Sequence, residues 1–374
     1  MTSIMPSKSS TVFVGMSGGV DSSVAALLLK KRGHRVVGIF MRSYNIDGCA
    51  ERDAEDARRV AERIGIPFYV WDFEEEYMQR VVQYMIEGYR TGITPNPDVM
   101  CNREIKFGLF LEKALAMGAD YVATGHYVTL RNMGAGAKAR LALFAAEDTN
   151  KDQSYFLWTL TQAQLARSLF PIGSHKKPEV REIARRAGLP TAEKKDSQGI
   201  CFLGQVSISD FLRNYIPEQR GAILTTRGER IGEHKGAFFY TIGQRHLDAD
   251  FTFPKTGATG IPAARKPFYV AAKDVAANTI IVAEGGDDPA LFRTEVRLVQ
   301  VNFIGGKEYE GRVMARVRYR QPLAEAMLRS IGEGCHLLSF ASPQKFVAEG
   351  QSAVFYGPKG EMLGGGVIAA AAAL

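Results

Sequence analysis

Ser17-Gly18-Gly19-Val20-Asp21-Ser22 is the run whose residue types and spacing most plainly suit chemistry. It stands between a strand-like and a helix-like segment. Adjacent glycines let a backbone turn tightly and approach a ligand with no Cβ in the way. The N–H groups at the start of the helix, with the Ser17 and Ser22 hydroxyls, would form an anion cradle. An Asp inside such a cradle does not suit a phosphate alone; near phosphates it serves as a magnesium ligand or as the partner of a cation. The plainer reading is an ordinary glycine-rich strand–helix turn. No G-x-x-x-x-G-K-[ST] occurs, so this is not a P-loop kinase signature. Gly134–Ala139 fits a loose dinucleotide pattern but lies between two strand-like runs, and reads as a hairpin loop.

Two cysteines stand in polar surroundings. Cys101 follows Asn96-Pro97-Asp98-Val99-Met100, and Pro95 and Pro97 predict an extended loop before a helix that begins near Ile105. A Cys near a helix N-terminus, with Arg103 and Lys106 close by, has reasons for a lowered pKa and a reactive thiolate. Cys201 lies in Ser197-Gln198-Gly199-Ile200-Cys201-Phe202, after Lys194 and Lys195. On spacing alone, either cysteine could equally be inert. Cys49 has acidic neighbours and no motif, and Cys335 opens an apolar strand and reads as core.

The elements around these residues change character along the chain. Thr11–Gly15, Arg35–Met41, Phe68–Trp71 and Asp120–Thr124 are strand-like. Helical spacing marks Ser22–Arg32, Glu51–Ile64, Glu74–Tyr89 and Ile105–Met117. Strands separated by helices of this length predict an α/β domain with a parallel sheet covered on both faces. From Gly221 onward, short alternating runs separated by Gly-rich turns predict a small central β-rich module and then a C-terminal β-barrel, with Gly285–Pro289 as the linker. The expected domains are 1–216, 217–286 and 287–374.

Composition narrows the class. The 374 residues are 46% apolar and 23% charged, which excludes disorder and collagen-like repeats. No run is long and apolar enough for a membrane span. Met1–Thr11 is too short and polar for a signal peptide. Four cysteines with no C-x-x-C argue against a zinc ribbon and a disulfide scaffold, and fit a reducing cytoplasm. The net charge of +7 is compatible with a polyanionic partner without requiring one.

The glycine loop resembles the S-G-G-x-D-S loop of the PP-loop ATP pyrophosphatases, whose fold is of the adenine nucleotide alpha hydrolase kind. SGGVDSS, NPDVMCNREIKFG, ATGHY, KDQSYFLW, DSQGICFLG, YTIGQR, RVRYRQP and GQSAVFY, in this order, are similar to the tRNA 2-thiouridylase family over nearly the whole chain. The resemblance implies ATP-dependent installation of sulfur at carbon 2 of the wobble uridine of tRNA, read at the anticodon region. It implies ATP and Mg2+ as cofactors and a persulfide donor protein, either a relay carrier or a cysteine desulfurase. By matching motif, Gly15, Met16, Ser17, Gly18, Gly19, Val20, Asp21, Ser22, Met41 and Gly125 would bind ATP, with Met41 beside the adenine. Asn96, Pro97 and Asp98 would meet the target base. His126, Lys151, Asp152, Gln153, Arg318, Tyr319 and Gln351 would contact tRNA. Cys201 would carry the persulfide and Cys101 would form a disulfide with it, with Asp98 as general acid or base or as a positioner of the base. No resident metal site is implied. After Gln244-Arg245 the chain departs from the family pattern, reading HLDADFTFPKTGATGIPAARKPFYV with Phe268 at the aromatic position.

Two basic stretches suit RNA. In Arg312–Arg320, strand alternation predicts Arg316, Arg318 and Arg320 on one face, tracking phosphates. Lys176, Lys177, Arg181, Arg185 and Arg186 could cover a tRNA stem. Each stretch also reads as a solvated face. The competing functions are an adenylating synthetase of the same loop class acting on a small molecule, and a non-catalytic tRNA-binding protein.

Overall fold

The computed structural model describes residues 10–44, 48–134, 139–196, 206–252 and 266–370. Its first seven strands are β1 (Thr11–Gly15), β2 (Arg35–Arg42), β3 (Phe68–Asp72), β4 (Tyr121–Ala123), β5 (Val128–Met133), β6 (Arg140–Ala145) and β7 (Ser168–Leu169). Five of them form a parallel sheet in the order β3-β2-β1-β4-β7. Successive residues of β1 face opposite sides. Val12 and Val14 pack with α1 (Val20–Lys31), α2 (Cys49–Ile64) and the helix Lys177–Arg186, through Val24, Val60 and Val180. Phe13 packs on the other side with Ile39, Trp71, Val81, Met85 and Phe110, which come from strands and from helices over 74–90 and 97–116. The loop after β1 therefore emerges at the sheet's C-terminal edge, between two helical layers.

The helix over 97–116 begins earlier than the sequence suggested. Asn96 caps it by accepting from the Val99 N–H at 3.3 Å, and Pro97 occupies its first turn, where a missing N–H costs nothing. Cys101 thus lies inside a helix and not in an extended loop, and Cys101–Leu109 has π-type hydrogen bonding. A second π-type turn, Met78–Val82, interrupts the helix over 74–90.

The central module is a five-stranded sheet of β8 (Gly221–Thr225), β9 (Arg230–His234), β10 (Ala249–Phe251), β11 (Phe268–Asp274) and β12 (Thr279–Glu284), ordered β10-β9-β8-β12-β11. Of the stretch 246–270, where the chain departs from the family pattern, residues 253–265 lie outside the described residues; Phe268 stacks on Phe251 at 5.8 Å. The barrel comprises β13 (Phe292–Phe303), β14 (Gly311–Arg316), β15 (Ala324–Gly332), β16 (Cys335–Lys345), β17 (Ser352–Tyr356) and β18 (Glu361–Ile368). These run β13-β16-β15-β14-β17-β18 and close through antiparallel pairing of β18 with β13. The antiparallel hairpin β5-β6, which lies between strands of the parallel sheet in the sequence, adds to this sheet through β6 and β18. The strands flanking Gly134–Ala139 are therefore the hairpin the sequence suggested, while residues 135–138 lie outside the described residues.

The 151–160 run ties the first domain to the barrel. Tyr155 donates to the Ser352 carbonyl at 2.8 Å, Trp158 Nε1 to Ser352 Oγ at 3.0 Å, and Asn302 Nδ2 to the Trp158 carbonyl at 2.7 Å. Thr94 Oγ1 reaches Thr241 Oγ1 of the central module at 3.2 Å. Among the described residues, no helix is long and apolar enough to cross a membrane.

Candidate active site

The loop between β1 and α1 is shaped by absent side chains. Gly18 has φ +71°, and a Cβ there would lie 2.3 Å from the Asp53 carbonyl oxygen on α2. A Cβ on Gly125, at the end of β4, would lie 2.7 Å from the Ser22 nitrogen. Both close approaches require glycine. Ser22 Oγ accepts from the Ser17 N–H at 3.1 Å and lies 3.3 Å from Ser17 Oγ. Gly19 is the N-cap of α1 and supplies no side-chain cap, so the helix start is left to other acceptors. Met16 and Val20 are buried beneath the loop. Met41, on the neighbouring strand, brings its Cε to 2.9 Å from where a Gly15 Cβ would stand. The cradle fits a nucleotide triphosphate: a tight glycine turn, hydroxyls, an uncapped helix start and an apolar side chain at one end.

Asp21 does have a cation. Lys177 Nζ lies 2.8 Å from each of its carboxylate oxygens, and the Tyr127 hydroxyl donates to Oδ1 at 2.8 Å. Burial and the Asp21 charge push the Tyr127 phenol far up, so it remains a donor. Lys177 also pairs with Asp196 at 2.7 Å, and Asp196 further takes Arg181 and Lys151. Burial would raise the Asp196 carboxyl, but hydrogen bonds from Lys151 and Lys177 outweigh it and hold it down to about 2. Sequence reasoning missed this cluster because Asp21 and Lys177 are 156 residues apart. It also placed Lys177 in an RNA-facing basic stretch. That stretch is paired internally: Arg181 with Asp196, Arg185 with Glu193 and Arg186 with Glu182. Among the described residues no cluster of three or more His, Cys, Asp or Glu could hold a metal.

On the opposite face of the sheet, the start of helix 97–116 gathers Asn96, Pro97, Asp98 and Cys101. Cys101 is 4% exposed. Burial pushes its thiol up; Lys106 opposes and Asp98 reinforces that shift. The expectation of a lowered pKa is therefore corrected: burial inside a helix outweighs the nearby cation. Gln351 of the barrel donates from Nε2 to the Thr94 and Pro95 carbonyls, both at 3.0 Å, and so braces the segment that leads into this helix. Cys201 lies outside the described residues, and so does its expected pairing with Cys101. Cys335 is half-buried and not core, with an Arg297 guanidinium nitrogen 3.6 Å from its sulfur.

Residues 10–205 match the model of the tRNA methyl transferase HUP domain, 209–284 the tRNA methyl transferase PRC-barrel domain and 293–368 the aminomethyltransferase beta-barrel domain. The chain is 45% identical to the tRNA-specific 2-thiouridylase MnmA of Geobacillus thermodenitrificans, over 96% of this chain and 94% of that one. It is 46% identical to that of Bacillus licheniformis, with the same coverage. For that of Pseudomonas paraeruginosa the identity is 45%, over 97% of this chain and 95% of the relative. The chain belongs to the tRNA-specific 2-thiouridylase family.

Several thiouridylase motif residues turn inward. The Asp152 carboxylate is 4% exposed and accepts from Ser154 N at 3.1 Å, Ser154 Oγ at 3.0 Å and Arg316 Nη2 at 3.1 Å. Gln153 Oε1 accepts from the Tyr127 N–H at 3.0 Å. His126 is buried, its Nδ1 2.8 Å from Thr124 Oγ1, and burial together with Lys106 pushes its imidazole well below the ordinary value. The expected three-arginine strand face is also corrected. β14 ends at Arg316, whose side chain points inward to Asp152, and Arg320 has φ +64°. Arg318 and Tyr319 follow in a turn, with Tyr319 packed on Phe156 at 4.5 Å.

Proposed function

We propose that this chain thiolates carbon 2 of the wobble uridine of tRNA in an ATP-dependent reaction. One observation carries the reading: a loop that only glycine permits, at Gly18 and Gly125, lies at the sheet edge between α1 and the helix that bears Asn96, Pro97, Asp98 and Cys101. Attack of the uridine 2-oxygen on the α-phosphate releases pyrophosphate and leaves carbon 2 electrophilic. Ser17, Ser22 and the start of α1 hold phosphate, and Met41 faces the adenine. Asp98 either moves a proton or orients the base. Magnesium would arrive with the phosphates and neutralise their charge.

Sulfur then enters as a nucleophile from a Cys201 persulfide, loaded by a carrier protein or a cysteine desulfurase. Cys101 attacks the inner sulfur as AMP leaves carbon 2. The product is a Cys101–Cys201 disulfide, which an external thiol must reduce. We assign the reaction to residues 1–216, with the modules 217–286 and 287–374 supporting the tRNA at its anticodon region, the last through Arg318 and Tyr319, and Lys151 of the first domain adding to that surface. The test is nucleoside mass spectrometry of unmodified tRNA incubated with the protein, ATP and a sulfur donor. A 2-thiouridine derivative at the wobble position that depends on ATP supports the reading. Pyrophosphate release stimulated equally by a small acceptor and by tRNA would point to a small-molecule synthetase.

A further inference from the structure

Cys101 has buried surroundings that the reaction above leaves unused. Asp98 and Lys106 act on its sulfur from its own helix, and Tyr77 hydrogen-bonds to it from the helix over 74–90. Burial and Asp98 favour the neutral thiol; Lys106 and the Tyr77 hydrogen bond favour the thiolate. Tyr77 is 2% exposed and belongs to the same core cluster as Cys101, with Phe13, Trp71, Phe73 and Val81. A phenylalanine would suit so apolar a place; a tyrosine there brings an oxygen that needs a partner.

The backbone accounts for this meeting. Tyr77 ends the α-helical turn Glu74–Tyr77, just before the π-type turn Met78–Val82, and Cys101 is the first residue of the π-type stretch Cys101–Leu109. Hydrogen bonds between residues five apart return Lys106 to the face of Cys101. Gly108 accommodates the widened turn, since a Cβ there would lie 2.9 Å from the Arg103 carbonyl oxygen. Asn102 Nδ2 donates to the Asp98 carbonyl at 3.0 Å and to the Phe156 carbonyl at 3.4 Å. The backbone at Cys101 is thus anchored apart from Tyr77, so loss of the phenol oxygen changes the sulfur's surroundings and not the helix. Arg80 and Arg103, the other cations of these two helices near this point, both meet Glu104.

We propose that Tyr77 serves the sulfur-transfer step: its hydroxyl donates to Cys101 and holds the sulfur as the thiolate that attacks Cys201. This rests on the thiolation reading. With the outer persulfide sulfur bonded to carbon 2 in place of AMP, the Cys101 thiolate attacks the inner sulfur. The Cys101–Cys201 bond forms, the bond between inner and outer sulfur breaks, and its electron pair leaves with the thiolated base. Two cysteine sulfurs are oxidised and the transferred sulfur is reduced. The proton that Cys101 gives up beforehand balances the one the thiolated base takes up at nitrogen 3. A phenol that donates to the thiolate helps without taking a proton itself.

The test compares the full chain with its Tyr77→Phe variant in two measurements. The first is the pH midpoint of Cys101 alkylation by iodoacetamide, which needs no turnover. It should rise by about one to two pH units, as loss of a hydrogen bond to a charged group does. The second is single-turnover thiolation of tRNA by chain preloaded with persulfide. At neutral pH it should fall about ten- to a hundredfold and recover as pH rises, with persulfide accumulating on Cys201, while pyrophosphate release and the KM for tRNA stay unchanged. If melting shows Tyr77→Phe unfolded, Tyr77→Met, which also lacks a hydroxyl, is read in its place. An unmoved midpoint, or a thiolation loss equal at every pH, overturns the proposal and marks Tyr77 as packing. A parent chain that does not thiolate tRNA overturns the reaction reading instead, and the alkylation midpoints still decide whether Tyr77 holds the thiol.

Discussion

Arg316 donates to Asp152 at 3.1 Å across the junction between the barrel and the 151–160 run, with side-chain exposures of 11% and 4%. Ser154, whose Oγ lies 2.8 Å from the Tyr356 hydroxyl, completes the junction. Removing one partner strands a buried charge. Arg316→Met is therefore expected to cost about 3–5 kcal/mol of stability, read by denaturant unfolding, whereas pairing it with Asp152→Leu should recover much of that loss. If the double variant is no better than the single, the two residues are not coupled as this distance implies.

Asp21→Ala should abolish pyrophosphate release with tRNA and ATP present. It removes the carboxylate that holds Lys177 and Tyr127, while Lys177 keeps Asp196. Melting should shift little, because the site is the part-exposed first turn of α1 and not the core. Normal release by a folded variant would show that the loop charge has no role in adenylation.

The parallel sheet and its covering helices were legible because apolar periodicity is local: Val12, Phe13 and Val14 already state two buried faces. The loop was legible because Gly18 and Gly19 carry their own conformational meaning. The Asp21–Lys177 pair was not, because nothing within a few residues of Lys177 distinguishes a cation that folds back onto a loop from one in water. The start of the Cys101 helix was misplaced because Pro97 reads as a loop signal as readily as a first-turn proline. Arg316 was misread for a related reason. Alternation gave its side correctly only while β14 lasted, and the side it faces is closed by Asp152, from a distant part of the chain.

Arg318, partly exposed in the turn after β14 and beside Tyr319, is proposed to reach RNA. Arg318→Ala should weaken tRNA binding and reduce the salt slope by about one unit, as loss of one phosphate contact does. The comparison is Arg320→Ala, two residues further on and exposed. If neither substitution changes affinity or slope, this turn is not an RNA surface.

The buried thiol of Cys101 sets a pH dependence that separates its two states. Its folded pKa lies above the ordinary thiol value, chiefly because burial disfavours the thiolate. The neutral form is thus favoured by the fold, and the stability this contributes is present below the ordinary thiol pKa and fades as pH rises through the folded value. Iodoacetamide should label Cys101 slowly at neutral pH and faster only above the ordinary thiol range, while the half-buried Cys335 reacts earlier. Peptide mass spectrometry gives both rates in one experiment. Addition of tRNA and ATP should accelerate labelling of Cys101, if the thiol must ionise to attack the Cys201 persulfide. A Cys101→Ser chain treated with a sulfur donor should then keep its persulfide on Cys201, and a Cys201→Ser chain should carry none. Persulfide on Cys101 with turnover persisting in the Cys201→Ser chain would reverse the two roles.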